Sequence, residues 1–115
     1  MKKVSFNFRG KRIGIDAKKC MGLNRFFGLM FKGKEKADAL LFEFKKPTNL
    51  RIHSFFVFFT FIAVWLDEEE DVIEIRKIKP FTPSVKAERP YKKLLEVPLN
   101  KKYKKKIKLL QLGYA

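Results

Sequence analysis

Catalysis by a protein chain needs a nucleophile, a base or a metal-binding set, and this sequence offers few of each. Its one histidine, His53, stands beside Ser54 just upstream of a Phe-rich run. A serine nucleophile needs its base within about 3 Å. Neighbours along an extended chain point to opposite faces, so His53 and Ser54 are badly placed to act together. Asp67 and Glu96 are the carboxylates positioned for acid and base work, but neither is flanked by a second polar group that would mark a tuned site. His53, Ser54, Asp67 and Glu96 are therefore weak catalytic candidates, and the balance leans away from an enzyme. Cys20, the single cysteine, lies at helical spacing with Leu23 and Phe27, which predicts an inert buried thiol. One cysteine and one histidine cannot close a thiolate and imidazole zinc site. The acidic run Glu68 to Asp71 lacks the alternate spacing and the glycine of a calcium loop and is read as a solvated turn. Neither a metal nor a cofactor is expected, because no phosphate-cradling glycine loop or ligand motif occurs in the sequence.

Charge is the stronger signal. The 115 residues carry 27 Lys and Arg against 12 Asp and Glu, a net charge of +15. It is concentrated at the ends: residues 1–36 hold +9, residues 37–85 hold −2 and residues 86–115 hold +8. The densest piece is Lys101, Lys102, Tyr103, Lys104, Lys105, Lys106, Ile107 and Lys108, and the N-terminal counterpart is Arg9, Lys11 and Arg12. Such a chain attracts polyanions, with steeply salt-dependent binding. Aromatic residues near these cations (Phe6, Phe8, Tyr91, Tyr103) suit stacking on unpaired bases, which favours RNA over duplex DNA and admits a ribosome-associated role. The competing readings are a ligand or enzyme site in a small barrel near His53 and Asp67, and a protein partner docked on exposed members of Phe55 to Trp65. Lysine outnumbers arginine 21 to 6, which equally suits generic surface charge.

These residues must be held by a core, and the 46% hydrophobic composition with 13 Phe supplies one. Val4, Phe6 and Phe8 alternate with polar residues, Arg9 to Lys11 is turn-like, and Ile13 and Ile15 resume the alternation, so the chain opens with a β-hairpin. A short helix is expected over 18–27, strands over 39–44 and 91–97, an extended segment over 50–59, and a hairpin from 61–67 to 72–78. Residues 80–90, with three prolines, read as a loop or an irregular edge, and 107–112 as one further strand. The expected class is mainly β (α+β with one short helix): a curled antiparallel sheet or partly open small β-barrel of seven to eight strands, in one domain over 1–115 with a basic C-terminal extension at 101–115. The apolar run Phe55 to Leu66 is twelve residues against the roughly 20 of a spanning helix, so no membrane association is expected. Residues 1–20 lack the apolar stretch of a signal peptide, so the cytoplasm is the expected location.

Several segments occur in the order and spacing of one family: Gly28 to Lys32 (GLMFK), Ala39 to Phe44 (ALLFEF), Ile52 to Phe59 (IHSFFVFF), Val64 to Asp67 (VWLD) with Val72 to Ile75 (VIEI), and Leu94 to Pro98 (LLEVP). Over residues 13–100 the chain resembles the domain-of-unknown-function 192 family, also called uncharacterised protein family 0127, in its archaeal form. The resemblance implies a small, mainly β, barrel-like domain with no assigned biochemical function. Where relatives carry Trp-Met-Lys-Asn-Thr and then Pro-Leu-Asp, this chain has His53, Ser54, Phe55, Phe56 and Val57, then Thr60, Phe61 and Ile62. An activity that used those polar groups is not expected to survive here. The glycine after LEVP is also replaced, by Leu99-Asn100.

Overall fold

A computed structural model describes residues 1–20 and 28–112. Strands β1 (Lys2–Phe8) and β2 (Lys11–Lys19) form the expected hairpin, with Phe8 opposite Lys11. Its two-residue turn places Arg9 at φ 51° and Gly10 at φ 77°, the left-handed pair that matches the strands' twist. Strand β3 (Ala39–Thr48) follows, then β4 (Phe61–Leu66), β5 (Val72–Ile78) and β6 (Tyr91–Pro98). The chain ends in a 3-10 turn (Lys101–Tyr103) and helix α1 (Lys104–Leu112).

The six strands form one curled half-barrel in the order β1-β2-β3-β6-β4-β5. It is mixed rather than antiparallel, because β2 and β3 run parallel. Residues 20–38 separate them, more than the dozen or so that a parallel crossover needs. The two outer strands touch at one point: the Asn7 N–H donates to the Glu70 carbonyl at 2.8 Å, and Asn7 Nδ2 donates to Asp71 Oδ1 at 2.8 Å. Arg12 also pairs with Glu70 at 2.8 Å. The acidic turn is thus only partly solvated, since Glu70 and Asp71 clasp the hairpin and draw the sheet edges together.

Two of the expected strands are absent among the described residues. Residues 50–59 form a loop, with a turn at Phe55-Phe56, Phe56 at φ 59°, and a single bridge from Ile52 to Val85. Residues 107–112 are helical, because Tyr103, Ile107 and Leu110, spaced four and three apart, share one buried face and no Gly or Pro interrupts them. The expected helix over 18–27 lies largely outside the described residues. Lys18 and Lys19 belong to β2.

Alternation along the central strands divides the core in two. Ile62, Val64 and Leu66 of β4 join residues from all six strands, and Ile107 and Leu110 of α1, in the first cluster. Phe61, Ala63 and Trp65 face the second, with Leu40, Phe42, Leu94 and the loop residues Leu29, Val57, Phe59 and Val85. Burial on both faces is why β4 is an unbroken apolar run. Of the basic extension expected at 101–115, Tyr103, Ile107 and Leu110 are therefore part of the core. Tyr103 ties it down, its hydroxyl oxygen accepting the buried Ala39 N–H at 2.7 Å. Removing that acceptor orphans a buried donor, so Tyr103→Phe is expected to lower unfolding free energy by about 1–2 kcal/mol, measured by urea denaturation at constant m-value.

Candidate functional site

The one carboxylate buried deep among the described residues is Glu96, which is 7% exposed. On β6 it stands opposite Leu40 of β3 and Ala63 of β4, so neighbouring strands flank it on both sides. A Cβ at Gly28 would lie 3.5 Å from Glu96 Oε1 and 3.6 Å from the Phe42 ring, ordinary contact distances, so the left-handed φ of 49° rather than lack of space is what favours glycine beside the acid. No cation or hydrogen-bond donor among the described residues reaches the carboxyl. Burial alone pushes its pKa up to about 8, so the acid is protonated at neutral pH. Burial, then the Glu96 charge, also pushes Tyr91 up to about 12 and raises the Cys20 thiol. Cys20 is buried, as expected, but it directly follows β2, its N–H bonded to the Leu41 carbonyl at 2.9 Å. Trp65 shares the Glu96 face and leaves its Nε1 without a partner.

The other three catalytic candidates are not brought to Glu96. Ser54 is fully buried: its hydroxyl donates to the Lys79 carbonyl at 2.6 Å and accepts the Thr82 N–H at 2.6 Å, pinning two loops together. His53 is exposed, and its Nδ1 accepts the Phe55 N–H at 3.2 Å rather than facing Ser54. Asp67 Oδ1 caps the acidic turn, accepting the N–H groups of Glu69 and Asp71 at 2.9 and 3.0 Å. Ala63 is the β4 partner of Glu96, which puts Asp67 four positions along the strand, or about 13 Å away. A proton shuttle between them has no path. No group of three metal-ligating side chains occurs among the described residues. Ile62, where relatives carry an acid, is 2% exposed in the first core cluster. Asn100, in place of the family glycine, needs no left-handed backbone (φ −131°) and donates to the Lys34 and Ala37 carbonyls at 2.8 and 2.9 Å.

The cationic candidates separate into two groups. Arg12 and Lys102 are engaged: Arg12 with Glu70 and Asn7, and Lys102 with Asp38 at 2.8 Å. Lys101, Lys104, Lys105 and Lys108 are exposed, Lys106 is half-buried, and none of the five makes an ion pair among the described residues. Ile107 and Leu110 hold α1 on the core, so the lysines face outward. No acidic residue stands in its first turn. Arg9 and Lys11 are exposed at the hairpin tip, with the Arg9 guanidinium 5.7 Å from the Phe8 ring centre. The aromatics expected to stack on bases are mostly core: Phe6 is 0%, Tyr91 1% and Tyr103 5% exposed, and Phe8 is half-buried. Near-neighbour lysines along the chain could not reveal that these rings point inward.

A different set of rings is exposed. Phe31, Phe55, Phe56, Phe58 and Phe81 show 41–65% of their surface. Phe31 stacks on Phe56 at 5.2 Å, and Phe58 lies 6.4 Å from Phe31 and 5.6 Å from Phe81. Part of this was readable: Val57 and Phe59 are buried while Phe56 and Phe58 point out, a period of two inside the Phe run. Phe31 and Phe81 join only through tertiary folding, the Phe31 N–H donating to the Phe56 carbonyl and the Phe81 N–H to the Ser54 carbonyl, both at 2.9 Å.

Among solved structures, the fold is similar to a protein of unknown function from Novosphingobium aromaticivorans, with TM-score 0.70, 16% identity, and coverage of 90% of this chain and 76% of that one. It is also similar to a protein named as a candidate transcription regulator from Sinorhizobium meliloti, with TM-score 0.69, 14% identity and coverage of 82% and 76%. No curated protein matches the chain. The family model described as "Uncharacterized ACR", DUF192, matches residues 21–109, and with the half-barrel and the ordered segments it covers, the chain belongs to the DUF192 family.

Proposed function

We propose that this chain is a non-catalytic module that binds nucleic acid through the lysines of its C-terminal helix. The carrying observation is the arrangement of α1: Lys104, Lys105, Lys106 and Lys108 lie on a nine-residue helix with no acid in its first turn and no ion pair to any of them among the described residues. Cations at a helix N-terminus oppose the macrodipole, and Lys104 and Lys108 repel each other across one turn. An arrangement that gives up stability in this way is relieved by a bound polyanion. The net charge of +15 supplies the long-range attraction. A ligand or enzyme site is less well supported, because His53, Ser54 and Asp67 each serve a loop or turn and Glu96 has no acid or base partner among the described residues.

Salt titration tests the proposal. Binding to single-stranded RNA, structured RNA and duplex DNA is expected to weaken linearly in log salt, with a slope of about −0.9 per duplex phosphate contact and about −0.7 on single strands. The Lys104→Gln/Lys105→Gln/Lys106→Gln/Lys108→Gln protein is expected to lose about three units of slope while keeping the wild-type circular dichroism spectrum. A wild-type protein that shows no nucleic-acid binding at roughly 150 mM salt, or a variant with an unchanged slope, overturns the proposal.

A further inference from the structure

We infer that the exposed phenylalanine cluster formed by Phe31, Phe56, Phe58 and Phe81 is a stacking surface for the unpaired bases of a single strand. The inference deepens the nucleic-acid reading above and rests on it. The rings stand on three separate loops that meet at this surface. Phe31, Phe56 and Phe81 adopt left-handed φ values of 61°, 59° and 58°. That region is unfavourable for a bulky side chain and is populated where the surroundings enforce it. Ser54 supplies part of the enforcement, since its hydroxyl and its carbonyl hold the 79–82 segment against the 53–58 loop. A chain free to bury these rings, or to use polar residues at turn positions, would gain stability by doing so.

Chemistry selects the occupant. The segments that carry the rings, residues 28–36, 50–60 and 79–82, hold Lys32, Lys34, Lys36, Arg51 and Lys79 against the single acid Glu35. All five cations are exposed. The partner must therefore be anionic and must offer apolar faces, and a phosphate-linked strand with unstacked bases offers both. A second copy of this chain would set one cationic rim against another. Phe31 and Phe58 are the most open rings, 65% and 59% exposed and 6.4 Å apart at an interplanar angle of 56°, so each keeps a face for one base. The loops that carry the cluster give Leu29, Val57 and Phe59 to the second core, whereas α1 packs on the first, across the sheet. Phosphate attraction by the helix and base stacking by the rings are thus separable by mutation.

The probes are fluorescein-labelled dodecauridylate and a strand of the same length and charge with every base removed. Wild type is expected to prefer the strand that carries bases. Each base stacked is worth about 5- to 150-fold. Phe31→Asn and Phe58→Ser, singly and together, are expected to abolish that preference while leaving affinity for the abasic strand and its salt slope unchanged. Asn tolerates left-handed φ, and a circular dichroism melt checks that the variants remain folded. Equal wild-type affinity for the two strands overturns the inference, as does a base preference that survives both substitutions. A loss confined to vesicles of phosphatidylserine, or to self-association measured by sedimentation, assigns the cluster to lipid or to another copy and likewise overturns it. If the lysine variants lose salt slope while the phenylalanine variants behave as wild type, the helix proposal stands and this one fails. If wild type binds neither strand, this inference fails, and the helix proposal fails with it only if structured RNA and duplex DNA are not bound either.

Discussion

The Glu96→Gln protein is expected to be more stable than wild type at pH 7 by about 3 kcal/mol, and its stability is expected to be nearly flat with pH where that of wild type falls. The carboxyl is buried between β3 and β4 with no cation or donor among the described residues, and burial raises its pKa from 4.5 to about 8. The folded state therefore holds the proton more tightly than the unfolded chain. Below pH 4.5 both states are protonated and the full contribution to stability is present. Above it the unfolded chain ionises while the native state does not, and stability falls by up to about 1.4 kcal/mol per pH unit, levelling off above about pH 8. Glutamine keeps the shape and removes the titration. Other groups titrate in both proteins: Glu43, although desolvated, is lowered by Lys2 and Lys19, and Glu70 chiefly by its Arg12 hydrogen bond. The difference between the two proteins is therefore the informative quantity, measured by urea unfolding at pH 4, 5.5, 7 and 8.5. Parallel curves would show that Glu96 is ionised in the native state and that a counter-charge reaches it. Once ionised in the fold, the acid has no counter-charge among the described residues, so alkaline pH is expected to loosen the packing of β6 first.

Legibility of the sequence followed the range of the forces involved. The opening hairpin, the acidic-tipped hairpin and the strands at 39–44 and 91–97 are readable because period-two burial and turn chemistry are local, although β3 runs on to Thr48 through residues whose turn chemistry reads as its end. The family was readable because its segments keep order and spacing through the loops. The parallel pairing of β2 with β3 was not, since it depends on how the crossover of residues 20–38 returns to the sheet. Nor was the edge contact of Asn7 with Glu70 and Asp71, which joins residues more than sixty apart. The helix at 104–112 is not evident in Ile107 to Leu112 alone, because the helical signal is the spacing of Tyr103 to Ile107 and Leu110. Composition placed lysine at the termini correctly, but it could not separate Lys102, committed to Asp38, from its unpaired neighbours. Phenylalanine content likewise could not distinguish Phe6 and Phe59, which build the core, from Phe31 and Phe58, which face solvent. That distinction depends on which loops meet, and Ser54, read as a weak nucleophile, is a residue that makes two of them meet.

Reversing charge on the helix should raise stability and lower binding together. In the Lys104→Glu/Lys105→Glu/Lys106→Glu protein, acids replace cations at the N-terminal end of α1, where the macrodipole favours negative charge by about 0.3–1 kcal/mol per residue. A glutamate at position 104 also stands four residues before Lys108, the favourable order for a helical ion pair. The core anchors Tyr103, Ile107 and Leu110 are untouched. Unfolding free energy is expected to rise by about 1–3 kcal/mol, seen as a higher urea midpoint with an unchanged m-value. Loss of three phosphate contacts, each with a slope of about −0.9, weakens duplex binding by roughly 100-fold at 0.15 M salt, before repulsion by the new acids is counted. A generic solubilising role for the lysines predicts no loss special to the helix, because nucleic-acid affinity would then follow net charge and be equally reduced by three reversals elsewhere. The control is Lys45→Glu/Lys46→Glu/Lys77→Glu, exposed lysines on β3 and β5 that change net charge by the same amount. If the control loses as much affinity as the helix variant, the helix has no special part in binding. A helix variant that is destabilised would show instead that its lysines find partners in the folded chain, and the argument that stability is given up for binding would fail with it.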